Sequence, residues 1–96
     1  MKIEILPEAQ VDLDNGYWFY ENQVSGLGLY FLTSLVSDIR SLQLFAGIHP
    51  IIDGKHRMLA SRFPFSVFYR VDGEIVRVYA VVDNRRDPEW INKRLV

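Results

Sequence analysis

Lys55, His56, Arg57, Arg62, Arg85 and Arg86 are the side chains of this 96-residue chain that could do chemistry, and all lie in its C-terminal half. Metal-free cleavage of RNA needs only a base for the 2′-hydroxyl, cations for the phosphate charge and an acid for the leaving oxygen. Lys55, Arg62, Arg85 and Arg86 are the candidates for such a nuclease, with His56 as a further base. A second set suits binding: Arg57, Phe68, Arg70, Arg77, Tyr79, Arg85, Arg86 and Trp90. Guanidinium groups hold oxyanions by bidentate, charge-assisted hydrogen bonds, and aromatic faces stack unpaired bases. The plainer alternative is that Phe68 and Tyr79 pack beneath a C-terminal helix while the arginines lie over it.

Other chemistries find no residues. Cysteine is absent, which removes disulfides, thiolate zinc sites and cysteine nucleophiles. His49 and His56 lack metal-ligand spacing, so neither metal nor cofactor is expected. Gly26 and Gly28 read as a helix break, not a phosphate loop, and no serine stands in a nucleophile elbow.

The net charge of −1 conceals a division. Residues 1–54 carry two bases against seven acids, whereas residues 55–96 carry nine bases against five. Such a split suits an acidic or polyanionic partner for the second half; the alternative is a solvated basic face.

The elements that must position these residues follow in order. Ile3 and Ile5 alternate in a short strand, 2–6, which Pro7 ends while opening a helix. Ala9, Leu13, Tyr17 and Tyr20 keep helical spacing through Asp14-Asn15-Gly16, so Gly16 marks a close helix crossing rather than a turn. Ser25 is a candidate cap for a second helix reaching about Phe45, with Phe31, Leu35, Ile39 and Leu42 as its apolar stripe. Strands follow at 55–61, 65–71 and 75–83, the last two joined at Asp72-Gly73. Unbroken alternation would place Val76, Val78, Ala80 and Val82 on one face. Asp87-Pro88-Glu89 opens a final helix carrying Trp90, Ile91 and Leu95. The pattern is one α+β domain, residues 1–96. With no signal-peptide run and no membrane span, a cytoplasmic protein is the expectation.

The run Arg62-Phe63-Pro64-Phe65…Tyr69-Arg70-Val71 and the Asn84-Arg85-Arg86-Asp87-Pro88 junction resemble the C-terminal half of RelE/ParE-type toxins of bacterial type II toxin–antitoxin modules. PEAQVDL, SGLGLYFLTSLVSDI and the His49-Pro50 stop extend the likeness over nearly the whole chain. The resemblance implies an N-terminal strand, a two-helix hairpin packed on a twisted antiparallel sheet, and a short C-terminal helix. It also implies a cytoplasmic toxin held inactive by a cognate antitoxin, with no cofactor and no membrane. RelE-like members cleave mRNA on the ribosome, and ParE-like members poison DNA gyrase.

Carried over by position, the arginine that RelE-like nucleases place after the aromatic of the third strand is Ser66 here. Their strand lysines match only Lys55 and Arg57, and their C-terminal tyrosine has only Trp90 nearby. The arginine after the last strand matches Arg85 or Arg86. The catalytic set is incomplete, so the resemblance leans to the ParE-like branch. The alternatives are a RelE-like endonuclease and a degenerate, non-toxic partner of an antitoxin. An antitoxin with an acidic and apolar C-terminal segment should contact the arginine-rich half, and charge reversal at Arg70 or Arg77 should weaken it.

Overall fold

The computed structural model describes residues 1–96. Strand β1, Lys2–Ile5, ends at Leu6, and Pro7 takes the first position of helix α1, Pro7–Glu21. Proline fits there because its missing N–H would find no intrahelical partner in any case. The helix runs through Asn15-Gly16, and Ala9, Leu13, Gly16 and Tyr20 are its buried residues. A Cβ at Gly16 would lie 2.5 Å from the Phe31 ring, which is how closely the second helix crosses. That helix, α2, spans Leu27–Arg40, and the expected continuation breaks at Ser41 into a single turn, α3, Leu42–Phe45. Phe31, Leu35, Ile39 and Leu42, the stripe read from the sequence, are each at most 1% exposed.

Ser25 does not cap α2. Gly26 takes that position at φ 89°, and the Glu21 carboxylate accepts from the Gly26 and Gly28 amides at 3.0 Å. A carboxylate there satisfies orphan amides and complements the helix dipole, so the turn between helices is closed from α1. The close fit requires Gly28, where a Cβ would meet the Tyr17 carbonyl oxygen at 2.6 Å. Gly28→Ala is expected to cost about 1–3 kcal/mol by overpacking against backbone. Roughly 1 kcal/mol of that returns through helix propensity. A lower urea midpoint at unchanged slope records the net loss; a midpoint at or above the wild type contradicts it.

Four further strands complete the sheet: β2, Ile51–Ile52; β3, Lys55–Leu59; β4, Phe65–Asp72; and β5, Ile75–Asp83. Their order is β1-β5-β4-β3-β2, with β1 parallel to β5 and the other pairs antiparallel. The short β2 was not legible in the sequence. Asp53 and Gly54, at φ 53° and 80°, form the primed turn that joins it to β3. In the β4–β5 hairpin the positive φ falls on Gly73, so Gly73-Glu74 is the central pair rather than Asp72-Gly73.

Phe68 pairs with Ala80 and Tyr69 with Val78, leaving Tyr79 as the extra residue of a β-bulge. Alternation along β5 therefore changes phase at Tyr79. Val76 and Val78 face α1 and α2, but beyond the bulge it is Val81 that joins this core, while Ala80 and Val82 turn to the opposite face. The expectation that Val76, Val78, Ala80 and Val82 share a face holds only for its first half.

Candidate functional site: the basic face and the cleft under the last helix

Helix α4, Pro88–Leu95, covers part of the face opposite α1 and α2. Asp87 caps it as the sequence requires, its Oδ1 accepting the Glu89 amide at 2.8 Å. No α4 residue is fully buried, and the helix is held by half-buried Ile91 and Leu95 over Phe68, Ala80 and Val82. Phe68 is thereby only 4% exposed. This corrects its assignment to a presented binding surface: the ring is the floor beneath α4, as the plainer reading of the aromatics expects.

Beside that floor the structure assembles three polar residues. Arg57 on β3 lies opposite Phe68 and so emerges on the α4 face. Its Nε donates to Ser66 Oγ at 2.8 Å and its Nη2 to Asn84 Oδ1 at 3.3 Å. Ser66, fully buried, donates in turn to the same Asn84 oxygen at 2.6 Å. Ser66 is thus no vacancy in a catalytic set but the anchor that aims an arginine from the next strand. Arg86 joins the group: its guanidinium lies 4.4 Å from the Trp90 ring centroid in a cation–π contact. Arg57, Asn84 and Arg86 line a cleft together with Phe68, Ile91 and Leu95, and with Ile52 and Asp53 of the β2–β3 turn.

The other predicted residues lie elsewhere. Lys55, Arg70, Arg77 and Tyr79 occupy the part of the same face left open by α4. Lys55 Nζ and Arg70 stand 5.3 and 5.7 Å from the Tyr79 centroid, and Lys55 also donates to the Leu95 carbonyl. Arg77 pairs with Asp72 at 2.9 Å and lies 3.6 Å from Glu4, surface contacts that solvent screens. Arg62 is exposed in the β3–β4 loop and makes no ion pair. Arg85 parts company with Arg86: it bonds the Asp83 carboxylate and donates to Tyr20 Oη of α1 at 3.2 Å, on the helical side. That guanidinium, with the Arg85 amide, holds Asp83 below the usual carboxylate range against its burial. The nuclease candidates Lys55, Arg62, Arg85 and Arg86 are therefore dispersed over two faces. Of the nine bases from Lys55 onward, only Arg77, Arg85 and Arg94 form ion pairs, so the cleft wall keeps its positive charge.

His56, the other base considered for catalysis, is engaged. It stacks on the buried Tyr69 ring, 4.9 Å between centroids, and bonds the His49 carbonyl. The Gly47 amide donates to Tyr69 Oη at 2.9 Å, and the same oxygen is hydrogen-bonded to His49 Nδ1. Burial, with the nearby His56, lowers the His49 pKa below its ordinary 6.5. The unfolded chain then binds the extra proton first, so stability rises with pH through the window below about 6.5 and is lost on acidification. Urea midpoints at pH 7.5 and 5.0 should differ in that sense, and His49→Gln should flatten the difference; an unchanged pH slope in that variant refutes the assignment.

Neither the Ser66–Asn84 anchor of Arg57 nor the exclusion of Arg85 from the cleft has a local sequence signal. The matching of a buried serine to a nearby asparagine becomes visible only once the strand register is known.

With this geometry in place, the fold can be compared. The sequence matches no protein-family model and no curated protein. A solved structure of the chromosomal ParDE TA system from P. aeruginosa is similar, with a TM-score of 0.76 and 25% identity, covering 86% of this chain and 95% of the matched chain. The chain is ParE-like. A likeness over most of both chains carries the whole α+β arrangement, from the N-terminal strand through the five-stranded mixed sheet to the short last helix, and no single motif sustains it. In this ParE-like chain no helix is long and apolar enough to cross a membrane.

Proposed function

We propose that this chain is the toxin of a type II toxin–antitoxin module, neutralised by a cognate antitoxin and acting on DNA gyrase. The observation that carries the reading is the similarity to the ParDE system across 86% of the chain. The site supports the gyrase branch over RNA cleavage. Ser66, at the position of a nuclease arginine, is sealed in a hydrogen-bond network, and Lys55, Arg62, Arg85 and Arg86 do not converge on one point. A surface that binds without bond-making needs no such convergence, only an exposed basic face. The antitoxin is expected to bring an acidic and apolar C-terminal segment, complementary to that face.

Induction of the chain without its antitoxin, in cells, tests the proposal. Growth arrest with gyrase-linked DNA breaks and intact mRNA is expected. Cleavage of mRNA in the ribosomal A site, abolished by Arg86→Ala, would replace gyrase with the ribosome as target. Normal growth with abundant folded protein would remove the toxin reading and leave a non-toxic antitoxin partner.

A further inference from the structure

We infer that the cleft between Arg57 and Arg86 is a preorganised seat for the carboxylate of an acidic side chain flanked by an apolar one. Three donors face one cavity. Arg57 has spent its Nε and one Nη2 bond on Ser66 and Asn84, which lock its plane and leave its remaining N–H groups free. Asn84 uses its oxygen to accept from both Arg57 and Ser66, so its orientation is settled and its amide hydrogens are presented as a third donor. Arg86 is held against Trp90 and has no carboxylate within ion-pair distance. Two guanidinium groups and an amide match an oxyanion, and the cost of ordering Arg57 has already been met in folding.

The cleft floor decides between kinds of oxyanion. A single-stranded nucleic acid needs free aromatic faces on which to stack bases. Here Phe68 is buried, Arg86 lies over the Trp90 ring, and Lys55 and Arg70 both lie over the Tyr79 ring. What the cleft lining does offer is aliphatic, from Ile52, Ile91 and Leu95. An aliphatic floor beside a cationic wall fits a peptide in which glutamate or aspartate neighbours leucine, isoleucine or valine. Asp53 also lines the cleft, so a carboxylate is drawn to Arg57 and Arg86 and repelled by Asp53. Who supplies the segment rests on the toxin reading above: it is the antitoxin.

The test uses the full chain and a defined probe, Ac-Ile-Glu-Ile-NH2, against its glutamine analogue and against inorganic phosphate. NMR follows the Arg57 Nε–H, the Asn84 side-chain amide and the Trp90 indole N–H. The glutamate peptide is expected to shift all three in one saturable process. The glutamine analogue should bind about tenfold or more weakly, the loss of one charge-assisted contact. Arg57→Gln and Arg86→Gln should each abolish the shifts while leaving a dispersed, folded spectrum. Equal binding of both peptides, or no saturable shift at these three groups, overturns the inference. Tighter binding of phosphate than of the glutamate peptide overturns it in favour of a phosphate ligand. Growth arrest on induction, scored separately, keeps the two readings apart: a chain that arrests growth but fails the titration refutes the seat alone, and a harmless chain that passes it refutes only the toxin.

Discussion

Phe31→Ala is expected to lower stability by about 3–5 kcal/mol, the usual cost of removing a buried aromatic ring. Phe31 is fully buried and sits at the junction of the helices and the sheet. Its ring lies 5.2 Å from Tyr20, 5.1 Å from Phe63 and 4.9 Å from Phe65 between centroids, and it fills the space that Gly16 leaves open. Because Gly16 offers no side chain to collapse inward, the cavity is expected to persist, which puts the cost toward the upper end. A domain of this size has roughly 5–15 kcal/mol in total. Thermal unfolding followed by circular dichroism should therefore show a melting temperature lower by at least about 12 °C. Phe31→Leu should lose less than half as much. A fall of only a few degrees for the alanine variant would mean that the neighbouring rings close the gap.

The parts of this fold that could be read from the sequence are those with a local cause. The α2 stripe is legible because four apolar residues at helical spacing have no other use, and Asp87-Pro88 is legible because cap and proline act within one turn. The Asn15-Gly16 pair reads correctly as helix once periodicity outranks the turn signal, and the close approach of Phe31 supplies the reason for the glycine. What stayed hidden depends on register. Residues 75–83 give a run in which Ala80, Val81 and Val82 are all apolar, so nothing local reveals that Tyr79 is the extra residue. That single bulge decides which valines lie under α4 and turns Asp83 and Val81 toward the helices. The site was legible as a set of residue types and not as a place. Arg57 and Arg86 do meet at one cleft, but Arg85 leaves for α1, Phe68 is buried beneath α4, and Asn84, which no composition argument selects, fixes the geometry. Long-range pairs of this kind carry no periodicity to detect.

Asp12→Ala is expected to release α4 and to cost about 3 kcal/mol, the loss typical of breaking a buried charge pair. Beyond Ile5, β1 no longer covers the edge of β5, and Asp12 of α1 takes its place: Oδ2 accepts the Val81 amide at 2.9 Å. The same carboxylate accepts from Arg94 Nε at 3.1 Å and from Arg94 Nη2, joining α1 to α4 around the sheet edge. The two side chains are only 11% and 17% exposed, so solvent screens this pair far less than the Arg77 contacts. Without the carboxylate, a strand amide and a shielded guanidinium both lose their partner. Exposed Glu8, 3.4 Å from Arg94, offers little in exchange. Ile91 and Leu95, with the Lys55 bond to the Leu95 carbonyl and the Arg86–Trp90 contact, then hold an eight-residue helix too short to persist by itself. Hydrogen exchange should show α4 amides opening well before those of α2 and β4, whose packing does not involve Asp12. Arg94→Ala should loosen α4 similarly but keep the Val81 bond, and so cost less overall. Uniform destabilisation of every element by Asp12→Ala, with α4 no more labile than the rest, would show that the Asp12–Arg94 pair braces the whole sheet instead of the last helix.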